Sequence, residues 1–244
     1  VKLTELHKTK THSWLILERN DDMLKTLGSV NQYFIHTQYE SMIMDPGGIE
    51  LFSPMLAAIL QQTELDKLTT VFASHQDPDI ISTLGLWDKA VPNATLYAPA
   101  LWDRFIDHFD LDNLNYEGIN DDGGEIQLGG VRLRLLPAHY LHSAGNFHLY
   151  DPSAKILMSA NVGSAIKSET SNQFVEDFAQ HIKHIEQFHR RWMPSNKAKE
   201  NWIARVKELD IDILAPNHGK LYKGDQVHEF LEWFAKLDVG SAVR

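Results

Sequence analysis

The sequence predicts an α/β chain in which two β-sheets pack together and are flanked by helices. Strand-like and helix-like signals alternate as β-runs, helix, strand, helix, further β-runs, helices, strand and helix. No internal repeat, low-complexity tract or Ser/Gly linker divides the 244 residues, so residues 1–244 read as a single domain with ample material for a closed core.

In chain order, Ser13–Leu17 and Tyr33–His36 read as strands, and Ser41–Met44 runs apolar into the breaker Asp45-Pro46-Gly47-Gly48, an opening meander. Pro54–Gln62 is helix-like. Thr69–Ala73 has the continuous apolar character of a buried strand and leads at once into Ser74-His75-Gln76-Asp77-Pro78-Asp79. Helical spacing resumes from Ile80 to Lys89, a short strand covers Thr95–Tyr97, and Pro99–Phe109 is amphipathic, with Trp102, Phe105 and Phe109 expected in the core. Asn120–Gly130 is turn-rich. Val131–Leu135 alternates as a half-exposed strand, and Phe147–Tyr150 and Lys155–Met158 follow as strands. Asn172–Trp192 and Ala198–Glu208 read as helices, Ile211–Ala215 as a strand ending in Pro216-Asn217-His218-Gly219, and Val227–Leu237 as a closing helix.

Composition narrows the function. Lys and Arg total 23 against 33 Asp and Glu, a formal charge of −10, which argues against nucleic acid or an anionic membrane surface as partner. The absence of cysteine excludes disulfides, thiolate zinc, iron–sulfur clusters and a cysteine nucleophile, so any metal must be held by His, carboxylate or amide groups. No apolar run is long enough to span a bilayer, and the charged, interrupted N-terminal residues lack the apolar region of a secretory signal; the expected location is the cytoplasm.

The placement of the 13 histidines carries the chemistry. His75, His139, His142 and His218 stand at or beside the ends of strand-like runs, where loops held by a rigid sheet can gather ligands. In His75-x-Asp77-x-Asp79, an extended backbone projects all three side chains to one side. Two neighbouring carboxylates repel, and a divalent cation removes that conflict. The competing reading is a turn, with Asp79 capping the next helix. Of His139 and His142, one reads as a ligand and the other as its support. Asp45 is either such a support or a turn residue. Tyr33 and His148 face a pocket or the core, and His181, His184 and His189 suit a solvated helix surface better than a second metal site.

Four ordered segments, His75-Gln76-Asp77-Pro78-Asp79, Pro137 to Asp151, Ser159-Ala160-Asn161-Val162-Gly163 and Asn217-His218-Gly219, resemble the metal-binding segments of metallo-β-lactamase-fold proteins. The resemblance is to the diiron branch, the oxidoreductase domain of flavodiiron proteins and related stand-alone oxygen-binding diiron proteins, and runs from Tyr33 to His218. It implies a four-layer αβ/βα sandwich with two irons at one edge. Position by position, His75, Asp77 and His142 fall where the first metal's ligands stand, and Asp79 and His218 where the second metal's stand.

Three departures matter. Asn161 occupies the place of the bridging carboxylate, and a neutral amide implies a weaker second site. Ile80 replaces a histidine, and Asp77 stands where hydrolytic relatives have histidine and flavodiiron ones glutamate. The resulting oxygen-plus-imidazole set favours iron, with manganese or zinc as alternatives. Loss of the second metal would leave two histidines and one carboxylate, the arrangement of mononuclear iron(II) sites.

Nothing resembles the flavodoxin-like module that feeds electrons to the irons of flavodiiron reductases. The resemblance therefore implies an oxygen or redox sensor binding dioxygen or another small diatomic, working with a signalling protein. The alternative is an oxygen, nitric oxide or peroxide reductase served by a separate electron donor. Metal-dependent hydrolysis is disfavoured by the histidines missing at 77 and 80, and a decayed site kept for partner binding is the remaining reading. A homodimer is implied by the flavodiiron relatives.

Overall fold

The computed structural model describes residues 2–18, 30–165 and 173–243. One sheet runs in sequence order through β1 (Lys2–Lys8), β2 (His12–Glu18), β3 (Tyr33–Thr37), β4 (Ser41–Met44), β5 (Leu68–Phe72), β6 (Thr95–Pro99) and β7 (Asn115–Ile119). Strands β1 to β4 pair antiparallel. From β4 onward the strands are parallel, because each connection crosses over through helix: α1 (Phe52–Ile59), then α2 (Pro78–Ile81) and α3 (Leu84–Ala90), then a series of single turns that includes α4 (Asp103–Ile106).

The second sheet has the order β13 (Tyr222–Lys223), β12 (Ile213–Ala215), β11 (Ile156–Met158), β10 (Phe147–Asp151), β9 (Val131–Pro137) and β8 (Gly124–Leu128). Helices α5 (Phe178–Trp192) and α6 (Asn196–Val206) separate β11 from β12 and make that pair parallel. Helix α7 (Asp225–Lys236) closes the described chain. The N-termini of α5 and α6 are capped by Asp177 and Ser195, whose side chains accept from the backbone N–H groups of Gln180 and Ala198. Among the described residues no helix is long and apolar enough to cross a membrane.

Strand alternation builds the layers. On β3, Phe34 joins Met55, Ile59, Leu84 and Trp87 beneath the first helical layer. Its neighbours Tyr33 and Ile35 point the other way, into a cluster with Leu133, Phe147, Leu149 and Met158 between the sheets. On β10, Tyr150 turns outward to Phe178, Phe188, Trp202 and Phe230 of the second helical layer. The result is the expected four-layer αβ/βα sandwich of the metallo-β-lactamase fold. A buried polar cluster stitches the sheets together: Asp151 accepts from Trp14 Nε1 at 2.7 Å and pairs with His12, both on β2.

Several boundaries differ from expectation. The segment Pro99–Phe109 is not one helix but three successive short turns; Trp102 and Phe109 are half-buried and pack against the core as expected, whereas Phe105 is 57% exposed. The turn-rich stretch 120–130 contains β8, whose Ile126 and Leu128 point inward. Helix α5 begins at Phe178 rather than Asn172, which lies outside the described residues.

Candidate metal centre

Strands β4, β5, β9, β11 and β12 deliver their C-terminal ends to one edge of the sandwich. Asp45, directly after β4, donates its N–H to Phe72 O at 2.8 Å, which sets it beside the end of β5. There Asp45 is fully buried and accepts three hydrogen bonds: Ser74 N–H and Ser74 Oγ at 2.7 Å each, and Asn217 Nδ2 at 2.9 Å. Burial pushes the Asp45 carboxyl up from its usual pKa, opposed by the nearby His75 and these bonds.

This arrangement sets the tautomer of His75. Because the Ser74 hydroxyl spends its hydrogen on Asp45, its oxygen accepts from His75 Nδ1–H at 2.8 Å. In that neutral tautomer the lone pair is on His75 Nε2, which lies 2.9 Å from Asn161 Nδ2 and 3.4 Å from Asp77 Oδ2. Asp77 occupies the N-cap position of α2, yet its side chain makes no capping bond, and Asp79 lies inside the first turn after Pro78. The turn reading therefore does not account for these carboxylates.

His142 arrives on the loop after β9. Tyr140 N–H to Ser143 O, Asn146 Nδ2 to Leu141 O, and Ser143 Oγ to Gln76 Oε1 hold that loop beside the His75 segment. His142 Nε2 lies 3.1 Å from Asp77 Oδ2 and Nδ1 lies 3.1 Å from Asn161 Nδ2. His75, Asp77 and His142 thus offer three ligand atoms within 4.8 Å of one another. Asn161 sits between the two imidazoles, and its amide can present oxygen as well as nitrogen. Burial works against the Asp77 charge, but when the facing nitrogens of His142 and His75 carry protons in place of a metal, their hydrogen bonds and charge hold its carboxyl far below the usual range.

The other two expected residues form their own pair, His218 Nε2 and Asp79 Oδ2 at 3.4 Å. His218 is placed by the turn after β12, where Asn217 N–H donates to Ala160 O at 2.7 Å and His218 N–H to Ser164 Oγ. Asn217 also reaches Asp45, so one buried carboxylate braces the neighbours of both His75 and His218. Two imidazole nitrogens and a carboxylate directed to one place suit a cation, which fits the donor set without thiolate.

The loops that carry this edge hold unusual backbone. Asp45, Tyr140 and Ala160 adopt positive φ angles of 47°, 62° and 45° without being glycine, a conformation that persists only where packing enforces it.

Not every expected residue lies here. His139 hydrogen-bonds Asp121 O at 3.1 Å and packs on Phe147. Tyr33 and His148 are fully buried, donating to Pro216 O and accepting from Trp202 Nε1 respectively. His181 and His189 are buried, not part of a solvated helix face. Conversely, Ser74 and Asn217, which no motif assigns a role, support the site, each standing next to an expected ligand at a strand end.

The sandwich and its edge of imidazoles and carboxylates define a metal-binding protein of the metallo-β-lactamase fold. The chain belongs to the ODP family of beta-lactamase-like proteins, whose model matches residues 29–219. It is similar to a solved structure described as the peroxy diiron species of chemotaxis sensor ODP, at 36% identity and a TM-score of 0.86, over 100% of this chain and 98% of that one. It is likewise similar to the apo state of chemotaxis sensor ODP from T. denticola, at 35% identity and a TM-score of 0.89, over 99% and 97% of the two chains. An uncharacterized protein of Methanocaldococcus jannaschii is 25% identical over 225 residues; the match takes in 88% of this chain but 56% of that relative's length.

Proposed function

We propose that the chain is a non-heme iron protein of the diiron type that binds dioxygen and acts as an oxygen or redox sensor module. One observation carries this reading: ligand-type side chains from four separate segments meet at one edge, in a chain sharing 36% of its residues with a chemotaxis sensor described in a peroxy diiron state.

His75, Asp77 and His142 would hold the first iron, and Asp79 and His218 the second, with the Asn161 amide beside the first. Bound iron(II) supplies reversible binding of dioxygen. The rest falls to the chain. Asp45 and Ser74 place the proton of the neutral His75 ring on Nδ1 and aim Nε2 inward. Gln76 and Ser143 lock the His142 loop against the His75 segment. Asn161 adds no negative charge, so the two carboxylates Asp77 and Asp79 are left to balance the metal, which supports a weaker second position.

Residues 1–244 act as one domain in this reading. Its ligand is dioxygen or another small diatomic, its partner a signalling protein or a separate electron donor, its assembly a homodimer, and its location the cytoplasm. The test is anaerobic iron loading followed by optical spectroscopy while dioxygen is admitted and withdrawn. A new absorption band that appears and disappears with the gas supports a sensor. Irreversible oxidation with no such band, or sustained oxygen consumption once a reductant is supplied, would contradict it.

A further inference from the structure

Helix α5 ends against the candidate centre. The ring of Trp192, its last residue, meets the His142 imidazole edge to face, with centroids 5.4 Å apart and planes at 65°. Phe188, one turn earlier, lies 6.4 Å from the same imidazole and 5.7 Å from Trp192. Between them His189 donates from Nδ1 to Ile185 O, which leaves Nε2 to accept the N–H of Gly163 at 2.9 Å. That bond fastens the last turn of α5 to the turn that carries Asn161.

The exposure of Trp192 is the informative quantity. It stands 51% exposed, whereas Trp14, Trp87 and Trp202 are buried. Its ring packs on an imidazole whose own side chain keeps 12% exposure. Hydrogen bonds to Asp77 and Asn161 fix where the two nitrogens of His142 sit, and a ring packed against the imidazole edge limits its tilt and its access to water.

We infer that Trp192 is a positioning residue for the metal centre: its ring holds the His142 imidazole in ligating orientation and shields the bound metal on that side from solvent and competing chelators. This rests on the reading of His142 as an iron ligand. Groups that orient a ligating histidine generally change metal affinity about 10-fold to 100-fold when removed. The test uses the full chain loaded anaerobically with iron(II), in wild-type, W192A and W192F forms, and follows iron transfer to a coloured chelator. W192A should release iron about tenfold faster than wild type, by the same reasoning, and W192F, which keeps a flat ring, should stay close to the wild-type rate. A W192A rate equal to wild type, or a W192F rate equal to that of W192A, would overturn the inference. Should W192A fail to fold, W192L fills its place in the comparison. A wild-type chain that takes up no iron overturns the proposed function and this inference together, whereas wild-type retention with an unaffected W192A overturns only the latter.

Discussion

Asn161 is the residue on which the chemistry turns. Its amide reaches both His75 and His142, and a carboxylate there would add a negative charge where two cations could share it. Replacing Asn161 with Asp should raise bound iron from near one to near two per chain; an unchanged ratio by elemental analysis would contradict the role given to the amide. Ser74 acts one step removed, through the proton it directs on His75. S74A should weaken iron(II) binding by about 10-fold to 100-fold in an anaerobic titration while leaving the far-ultraviolet circular dichroism unchanged. The six candidate residues stood out in the sequence because potential metal ligands there recur in short, ordered motifs at strand ends. Ser74, Asn217 and Trp192 did not, since each acts through a neighbour brought in by the fold, and no period or spacing encodes that.

At the scale of elements, α5 carries two buried histidines, His181 and His189, that tie stability to pH. His189 and His181 each have a pKa lowered to about 4 and His148 one lowered to about 3, in every case chiefly by burial of the ring. The folded chain keeps these groups neutral, while the unfolded chain takes up protons below about pH 6.5. Stability is therefore full above that pH and falls as pH drops toward the folded values, by up to about 1.4 kcal/mol per pH unit for each of His148 and His189 and by less for His181, which solvent screens more. Chemical denaturation of the metal-free chain between pH 7 and 5 should show this loss, and H189Q should reduce its slope by about one proton. Capping is testable too: S195A removes the acceptor for Ala198 N–H at the start of α6 and should cost about 1 kcal/mol. Most helices and central strands were legible from their apolar periods. Edge strands were harder: β1 mixes charge with apolar residues, and β8 begins at a glycine and exposes Glu125 and Gln127.

Over the whole molecule, the two sheets meet through side chains that no local pattern pairs. The chain passes from β7 in one sheet to β8 in the other across residues 120–123, and this short turn gave no sequence signal of a change of layer. Asp151 on β10 joins His12 and Trp14 on β2 and also accepts from the N–H groups of Ser153 and Ala154. Burial opposes its charge, but the bonds from His12 and Trp14 hold the carboxyl below its usual range. D151A leaves both partners buried without an acceptor and should cost about 3 kcal/mol or more in denaturant unfolding, in line with other broken buried pairs.

The same closure of sheet on sheet gathers the strand ends that carry the donors, and on that convergence the functional account stands. Anomalous diffraction at the iron absorption edge, from crystals of the chain loaded with iron(II) under anaerobic conditions, tests it directly. The account predicts a peak among His75, Asp77 and His142, with a weaker one beside Asp79 and His218. Iron bound elsewhere on the molecule, with no peak at that edge, would contradict it.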